Sequence, residues 1–290
     1  MHPTIRELLS RRPVLLDGAW GTELQAQGLG VDECPDTWNV THPERVEQVA
    51  RRYVEAGSRV ILTNTFRANR IALALFGLAD RTRDILRAGV SISRRAAQEH
   101  ARVFASVGPS GRLLAAGDET ESALHDAFAE ATETLADAGA DGLVVETMTD
   151  LQEARIAVDA AHRTGLPVVA CLVFDSGRQH DRTMMGNTPE QVAEQLVAAG
   201  ADVIGANCGR GVSGYLDVCR RLVAASDRPV WIKLNAGLPE VVDGRIVYRT
   251  SADEFAEQAA RLVDLGASFV GGCCGTTPSF IEALRERMRS

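Results

Sequence analysis

The 290-residue sequence has no run approaching about 20 apolar residues, the length a helix needs to cross a bilayer, so no membrane span is predicted. An excess of cations is missing as well. Lys plus Arg number 31 against 39 Asp plus Glu, a formal charge of −8, and this excludes the domain-wide basic footprint of a nucleic-acid binder. The pairs Arg11-Arg12, Arg51-Arg52 and Arg94-Arg95 fall in helical context and read as solvated faces. Cysteines number 6, too few and too unevenly placed to staple a chain of this length. Residues 1–12 carry Arg6, Glu7, Arg11 and Arg12 with no apolar centre, so a secretory leader is not expected. These absences together predict a soluble, cytoplasmic protein. Aromatic residues make up only 5%, so each one near a candidate site is worth tracing.

What is present is a rhythm. Apolar, β-branched runs at 13–17, 59–64, 102–107, 142–146, 167–174, 202–207, 229–235 and 268–272 read as strands buried on both faces. Amphipathic stretches separate them, among them 43–56 with Thr41 as a possible cap, 189–199 after Thr188, 251–265 and 278–289. The phrases EAGSRV, DAGADG, AAGADV and DLGASF each place Gly where a helix ends in a left-handed residue and a strand follows. Eight strands alternating with helices predict an α/β chain, a (β/α)8 TIM barrel formed as a single domain over 1–290. A doubly wound open sheet would show the same rhythm, and the placement of the polar residues decides for the barrel.

At the C-terminal ends of these strands, or just beyond, stand Asp17, Asn64 with Thr65, Glu146, Asn207 with Cys208, Asn235, and Cys273 with Cys274. That face of a barrel carries the active site whatever the chemistry. Cys208 stands in GANCGRG after the sixth strand, and Cys273 and Cys274 in GGCCGTTP after the eighth. One strand separates the two ends in a closed barrel, so three sulfurs can converge as a tetrahedral zinc site with one position open. Two small buried thiols, a vicinal disulfide, or an unrelated Cys208 are alternatives that spacing alone leaves standing. Cys34, Cys171 and Cys219 fall in a loop, a strand and a helix and read as structural.

At LLDGAWGTEL, ILTNTFRAN, VVETMTDLQEA, GANCG, LNAGLP and GGCCGTTP the sequence resembles the homocysteine S-methyltransferase family. It looks most like the homocysteine-binding barrel of cobalamin-dependent methionine synthase and the related betaine–homocysteine methyltransferases. The motifs occur in family order from Leu15 to Pro278. The resemblance implies Zn²⁺ on Cys208, Cys273 and Cys274, with Asp17 and Gly18 holding the amino acid and Glu146 taking its ammonium. Asn235 lies where a neutral oxygen would fill the fourth zinc position before substrate arrives. Thr65 and Trp38 are further expected substrate or donor contacts, and Trp20 and Phe66 are candidates for an aromatic cage around an onium donor.

The expected reaction transfers a methyl group to the thiolate of homocysteine, giving methionine, with no residue acting as general acid or base. The donor is a small onium compound such as betaine or S-methylmethionine, or methyl-cobalamin brought by a separate corrinoid protein. Another thiol or selenol acceptor is the alternative. The chain departs from the methionine-synthase pattern at Lys233 and Leu234, before Asn235. It stops just after the last barrel helix, and the long C-terminal arm of the animal betaine enzymes is not found. The oligomeric arrangement of those enzymes is therefore not carried over; a homo-oligomer is plausible for a cytosolic barrel enzyme, but nothing in the sequence specifies one.

Overall fold

The Val, Ile, Leu and Ala runs become strands because each must bury both faces, and parallel pairing between flanking helices does this. The computed structural model describes residues 1–209, 211–242 and 245–289. Its strands are β1 (Val14–Leu15), β2 (Val60–Leu62), β3 (Arg102–Val107), β4 (Gly142–Met148), β5 (Val168–Leu172), β6 (Val203–Cys208) and β7 (Val230–Leu234). A short pair, β8 (Glu240–Val242) and β9 (Arg245–Val247), precedes β10 (Ala267–Gly272). The sheet order is β1-β10-β7-β6-β5-β4-β3-β2, with every pairing parallel. A parallel bridge from Leu16 to Val60 and an Arg59 N–H to Leu15 carbonyl bond of 2.8 Å bring the two edges together. The sheet closes, as expected of a (β/α)8 barrel.

Side-chain alternation divides the core. Leu16, Leu62, Phe104, Val144, Trp231 and Phe269 fill the barrel interior, where Trp231 lies 6.3 Å from Phe104 and 5.3 Å from Phe269 between ring centres. Ile5 and Leu8 of the helix Pro3–Leu9 join this cluster. The residues between them, such as Leu143, Val145, Ile204 and Ile232, pack outward with apolar residues of the surrounding helices.

The helix ends follow the sequence closely. Gly57, Gly139, Gly200 and Gly266 have φ of 107°, 93°, 108° and 105°, a region in which a Cβ is penalised. Thr188 caps the helix Pro189–Ala198 and Ser251 caps Ala252–Asp264, each in a reciprocal box with the third helical residue. Thr41 does not cap Pro43–Ala56. It ends the one-turn helix Trp38–Thr41, its hydroxyl donates to the Thr37 carbonyl at 3.2 Å, and His42 takes the cap position. The β8–β9 ribbon was not expected, although Asp243-Gly244 between two β-rich triplets is a hairpin signal.

Candidate active site

The interior positions one step above the apolar layer are polar. Phe104 is followed at the next inward position by Ser106, Val144 by Glu146, Gly205 by Asn207, and Trp231 by Lys233. Alternation thus carries polar side chains to the C-terminal mouth of the barrel. There a cavity of about 330 Å³ is lined by Gly18, Trp20, Glu33, Asp36, Thr63, Asn64, Phe66, Ser106, Glu146, Lys233 and the three cysteines, among others.

Cys208, Cys273 and Cys274 place their sulfurs within 4.8 Å of one another, and the Cys208 and Cys274 sulfurs are 3.9 Å apart. Strict alternation would turn Cys208 away from the side to which Asn207 points. Its φ of 66° redirects it, so neighbouring residues both reach the site. Such a conformation is uncommon for a residue with a side chain. The vicinal pair is held by its backbone. The Cys273 N–H donates to the Leu234 carbonyl at 2.6 Å, the Ala236 N–H donates to the Cys274 carbonyl at 2.9 Å, and the Thr276 hydroxyl donates to the Cys273 carbonyl at 2.7 Å. At Gly275, φ is 79°, and a Cβ there would lie 2.2 Å from the Tyr248 ring. Only glycine lets that ring rest against the cysteine loop.

All six cysteines are free thiols. Hydrogen bonds from Cys273, Cys274 and Asn235 pull the Cys208 thiol down to about 3, against the cost of burial. The sulfur contacts with Cys208 push Cys273 well up and Cys274 up to about 12. Crowded thiols give up one proton readily and resist losing the next, because the remaining charges repel. A bound dication removes that resistance, so the donor set fits Zn²⁺.

A second feature fits the same ion. Asn235 donates from Nδ2 to the Gly209 carbonyl at 2.7 Å and to the Cys208 sulfur at 3.7 Å, while its buried Oδ1 has no hydrogen-bond partner among the described residues. The bond to a carbonyl fixes which amide end is nitrogen. An oxygen left unpaired in the interior is costly unless something electropositive meets it.

Glu146 is nearly buried, accepting from the Ser106 hydroxyl at 2.5 Å and from Asn207 Nδ2 at 3.5 Å. Burial raises its pKa, opposed by the Lys233 charge and the Ser106 hydrogen bond. Asn207 also ties β6 to β4, accepting from the Thr147 N–H at 2.8 Å and donating to the Thr147 hydroxyl at 2.7 Å. Tyr215 donates to the Asn207 carbonyl at 2.9 Å and stiffens the same turn.

Asp17 is fully buried. Its Oδ1 is 2.5 Å from Lys233 Nζ, and its Oδ2 accepts from the Leu62 N–H and from Trp20 Nε1, each at 2.7 Å. It lies behind the cavity wall rather than on it, whereas Gly18 lines the wall. A side chain at Gly18 would collide with the Thr276 and Tyr53 hydroxyls at 2.7 Å, so glycine also serves close packing there.

Two expected contacts lie elsewhere. Trp38 does not line the cavity. It is 3% exposed, packs with Leu24, Leu29 and Tyr53, carries the Arg45 guanidinium 5.2 Å above its ring and donates to Glu33 at 3.2 Å. Thr65 also points away, its hydroxyl spent on the Ser106 carbonyl at 2.7 Å, and Thr63 faces the cavity instead. Trp20 and Phe66 do line it. Sequence reasoning placed no role on Lys233, Ser106 or Thr147. The visible signal for Lys233 was a lone cation inside an otherwise apolar strand.

A sequence profile described as homocysteine S-methyltransferase matches residues 14–288. The chain is 34% identical over 297 residues to a methionine synthase of Mycobacterium tuberculosis, covering 96% of this chain and 25% of that protein. A methionine synthase of Mycobacterium leprae gives 34% identity with 96% and 24% coverage. The chain thus spans about a quarter of the length of these curated relatives. Among solved structures it is similar in fold to the metallated form of the homocysteine methyltransferase MmuM from Escherichia coli, with a TM-score of 0.82 and 24% identity over 99% of both chains. Among the described residues, no helix is long and apolar enough to cross a membrane.

Proposed function

The chain belongs to the homocysteine S-methyltransferase family, and we propose that it transfers a methyl group from an activated donor to the thiolate of homocysteine, giving methionine. The observation that carries this reading is the convergence of Cys208, Cys273 and Cys274 at a cavity that also presents Glu146. These cysteines would hold Zn²⁺, with Asn235 Oδ1 as a neutral fourth ligand in the free protein. Bound there, zinc would supply a Lewis acid that keeps an acceptor thiol deprotonated near neutral pH, softened by an all-sulfur shell so that the sulfur stays nucleophilic.

Glu146 takes the ammonium of the amino acid, fixed for that task by Ser106 and Asn207. The backbone at Gly18 borders the same space. Asp17 acts through Lys233 and Trp20, holding both side chains in place. The acceptor sulfur forms a bond to the methyl carbon while the bond from that carbon to the donor's nitrogen or sulfur breaks. The electron pair leaves on a neutral amine or thioether, so no residue needs to donate a proton. The protein's part is alignment of the two reactants, which is worth many orders of magnitude in rate.

Trp20 and Phe66 line the cavity together with the carboxylates Glu33 and Asp36, which outnumber the neighbouring Arg67, and the two rings suit a cationic donor. An onium compound is therefore favoured over methyl-cobalamin delivered by a separate corrinoid protein. Free thiols at Cys34, Cys171 and Cys219 suit the reducing cytoplasm.

Zinc-loaded, reduced protein should form methionine from homocysteine with one of betaine, S-methylmethionine, S-adenosylmethionine, dimethylsulfoniopropionate or methyl-cobalamin, and Cys273→Ala should abolish it. Turnover confined to methyl-cobalamin would overturn the donor assignment. No turnover with any donor would overturn the acceptor assignment.

A further inference from the structure

We propose that Lys233 binds the α-carboxylate of the acceptor, so that the cavity recognises a thiol amino acid as a zwitterion. This rests on the homocysteine reading above and adds a specificity residue to it. Lys233 lies on β7 at an inward position, is 2% exposed and lines the cavity beside Glu146 and the cysteines. An ammonium has three N–H donors. Among the described residues, one hydrogen bond accounts for one of them, the 2.5 Å contact with Asp17 Oδ1.

Asp17 cannot itself serve an incoming ammonium as it stands. It is fully buried and does not line the cavity, and its oxygens accept from Lys233, the Leu62 N–H and Trp20 behind the wall. Its place is to anchor the lysine. Glu146 faces the same space with lone pairs left over after Ser106 and Asn207. A buried ammonium with unspent donors thus stands in one cavity with a buried carboxylate that has unspent acceptors. The α-amino-acid end of homocysteine offers the reciprocal pair, its ammonium to Glu146 and its carboxylate to Lys233. Charge-assisted hydrogen bonds of this kind are the strong ones, and in a buried site they discriminate sharply against an analogue that lacks one partner.

A purely structural Lys233–Asp17 pair would make no distinction between acceptors that share a thiol and an amine. The test compares L-homocysteine with homocysteamine, its decarboxylated analogue, using zinc-loaded protein and whichever donor supports turnover. Direct binding of both thiols is measured by calorimetry. Wild-type protein should favour homocysteine by at least about tenfold in kcat/KM. Lys233→Met should raise the homocysteine KM and Kd by about tenfold to a hundredfold, with kcat within about threefold. Both constants for homocysteamine should change less than about threefold.

Because Lys233→Met leaves Asp17 unpaired, the Asp17→Asn/Lys233→Met pair repeats the comparison without the orphaned charge. It should show the same loss of preference. Parallel losses for both acceptors, unchanged homocysteine binding in the variants, or a wild-type protein that treats the two acceptors alike would each overturn the assignment to Lys233 alone. Wild-type protein that binds no homocysteine would instead overturn the acceptor reading on which it stands.

Discussion

Asp36 on the cavity wall imposes a pH-dependent cost whose size follows from its surroundings. It sits in the short 3₁₀ turn Pro35–Thr37, is 1% exposed, accepts from the Arg67 N–H at 3.0 Å and has the Cys34 sulfur 3.6 Å from Oδ2. Burial lifts its carboxyl from the ordinary 3.8 to about 6, more than its hydrogen bonds can offset. Between those two values the folded protein holds a proton that the unfolded chain has released. Stability therefore falls as pH rises through this window and levels off above about 6. A gap of about 2 pH units, at about 1.4 kcal/mol each, amounts to about 3 kcal/mol. Asp36→Asn keeps the acceptor for Arg67 and removes the charge. It should stabilise the protein by about 1–3 kcal/mol near pH 8 and by almost nothing near pH 4. Urea denaturation of both proteins, reduced and chelator-treated so that metal affinity does not vary, reads the difference. An equal effect at both pH values, or a loss near pH 8, would refute the reasoning.

Replacing Cys208, Cys273 or Cys274 by Ala should drop bound zinc from about one per chain to a small fraction after dialysis, measured by elemental analysis; full retention in any one variant would remove that residue from the ligand set. In native, zinc-free protein three thiols should react with a chromogenic disulfide, Cys208 fastest. Cys34 and Cys219, each pushed up to about 12 by burial, and the fully buried Cys171 should react only on denaturation. Asn235→Ala should change the light-atom ligand seen at the zinc absorption edge in the free protein, and an unchanged spectrum would argue against Asn235 Oδ1.

The convergence of Cys208, Cys273 and Cys274 was legible because three signals coincided: apolar runs that had to be strands, thiols directly after two of them, and a topology that separates those two by one strand. The positions of Glu146 on the cavity wall and of Asn235 beside Cys208 were legible for the same reason. Thr65 was misread because β2 ends at Leu62 and alternation lapses beyond it: Thr63, of the same parity, lines the cavity, while the Thr65 hydroxyl is spent on the Ser106 carbonyl. Trp38 was misread because a tryptophan in a loop shows no direction in sequence, and the nearby core formed with Tyr53 and Leu24 claimed its ring. The left-handed Cys208 could not be foreseen, since residues with a Cβ seldom adopt that conformation. Lys233 was hidden by its own strand. Its apolar neighbours fixed its burial, but only the fold places Asp17 within reach of its ammonium.

The most direct test of a thiol acceptor at this cysteine centre is the number of sulfurs around zinc before and after L-homocysteine is added, read by X-ray absorption at the zinc edge. The expected shell is three sulfurs and one light atom in the free protein and four sulfurs with homocysteine bound. Three sulfurs persisting at saturating homocysteine would contradict it.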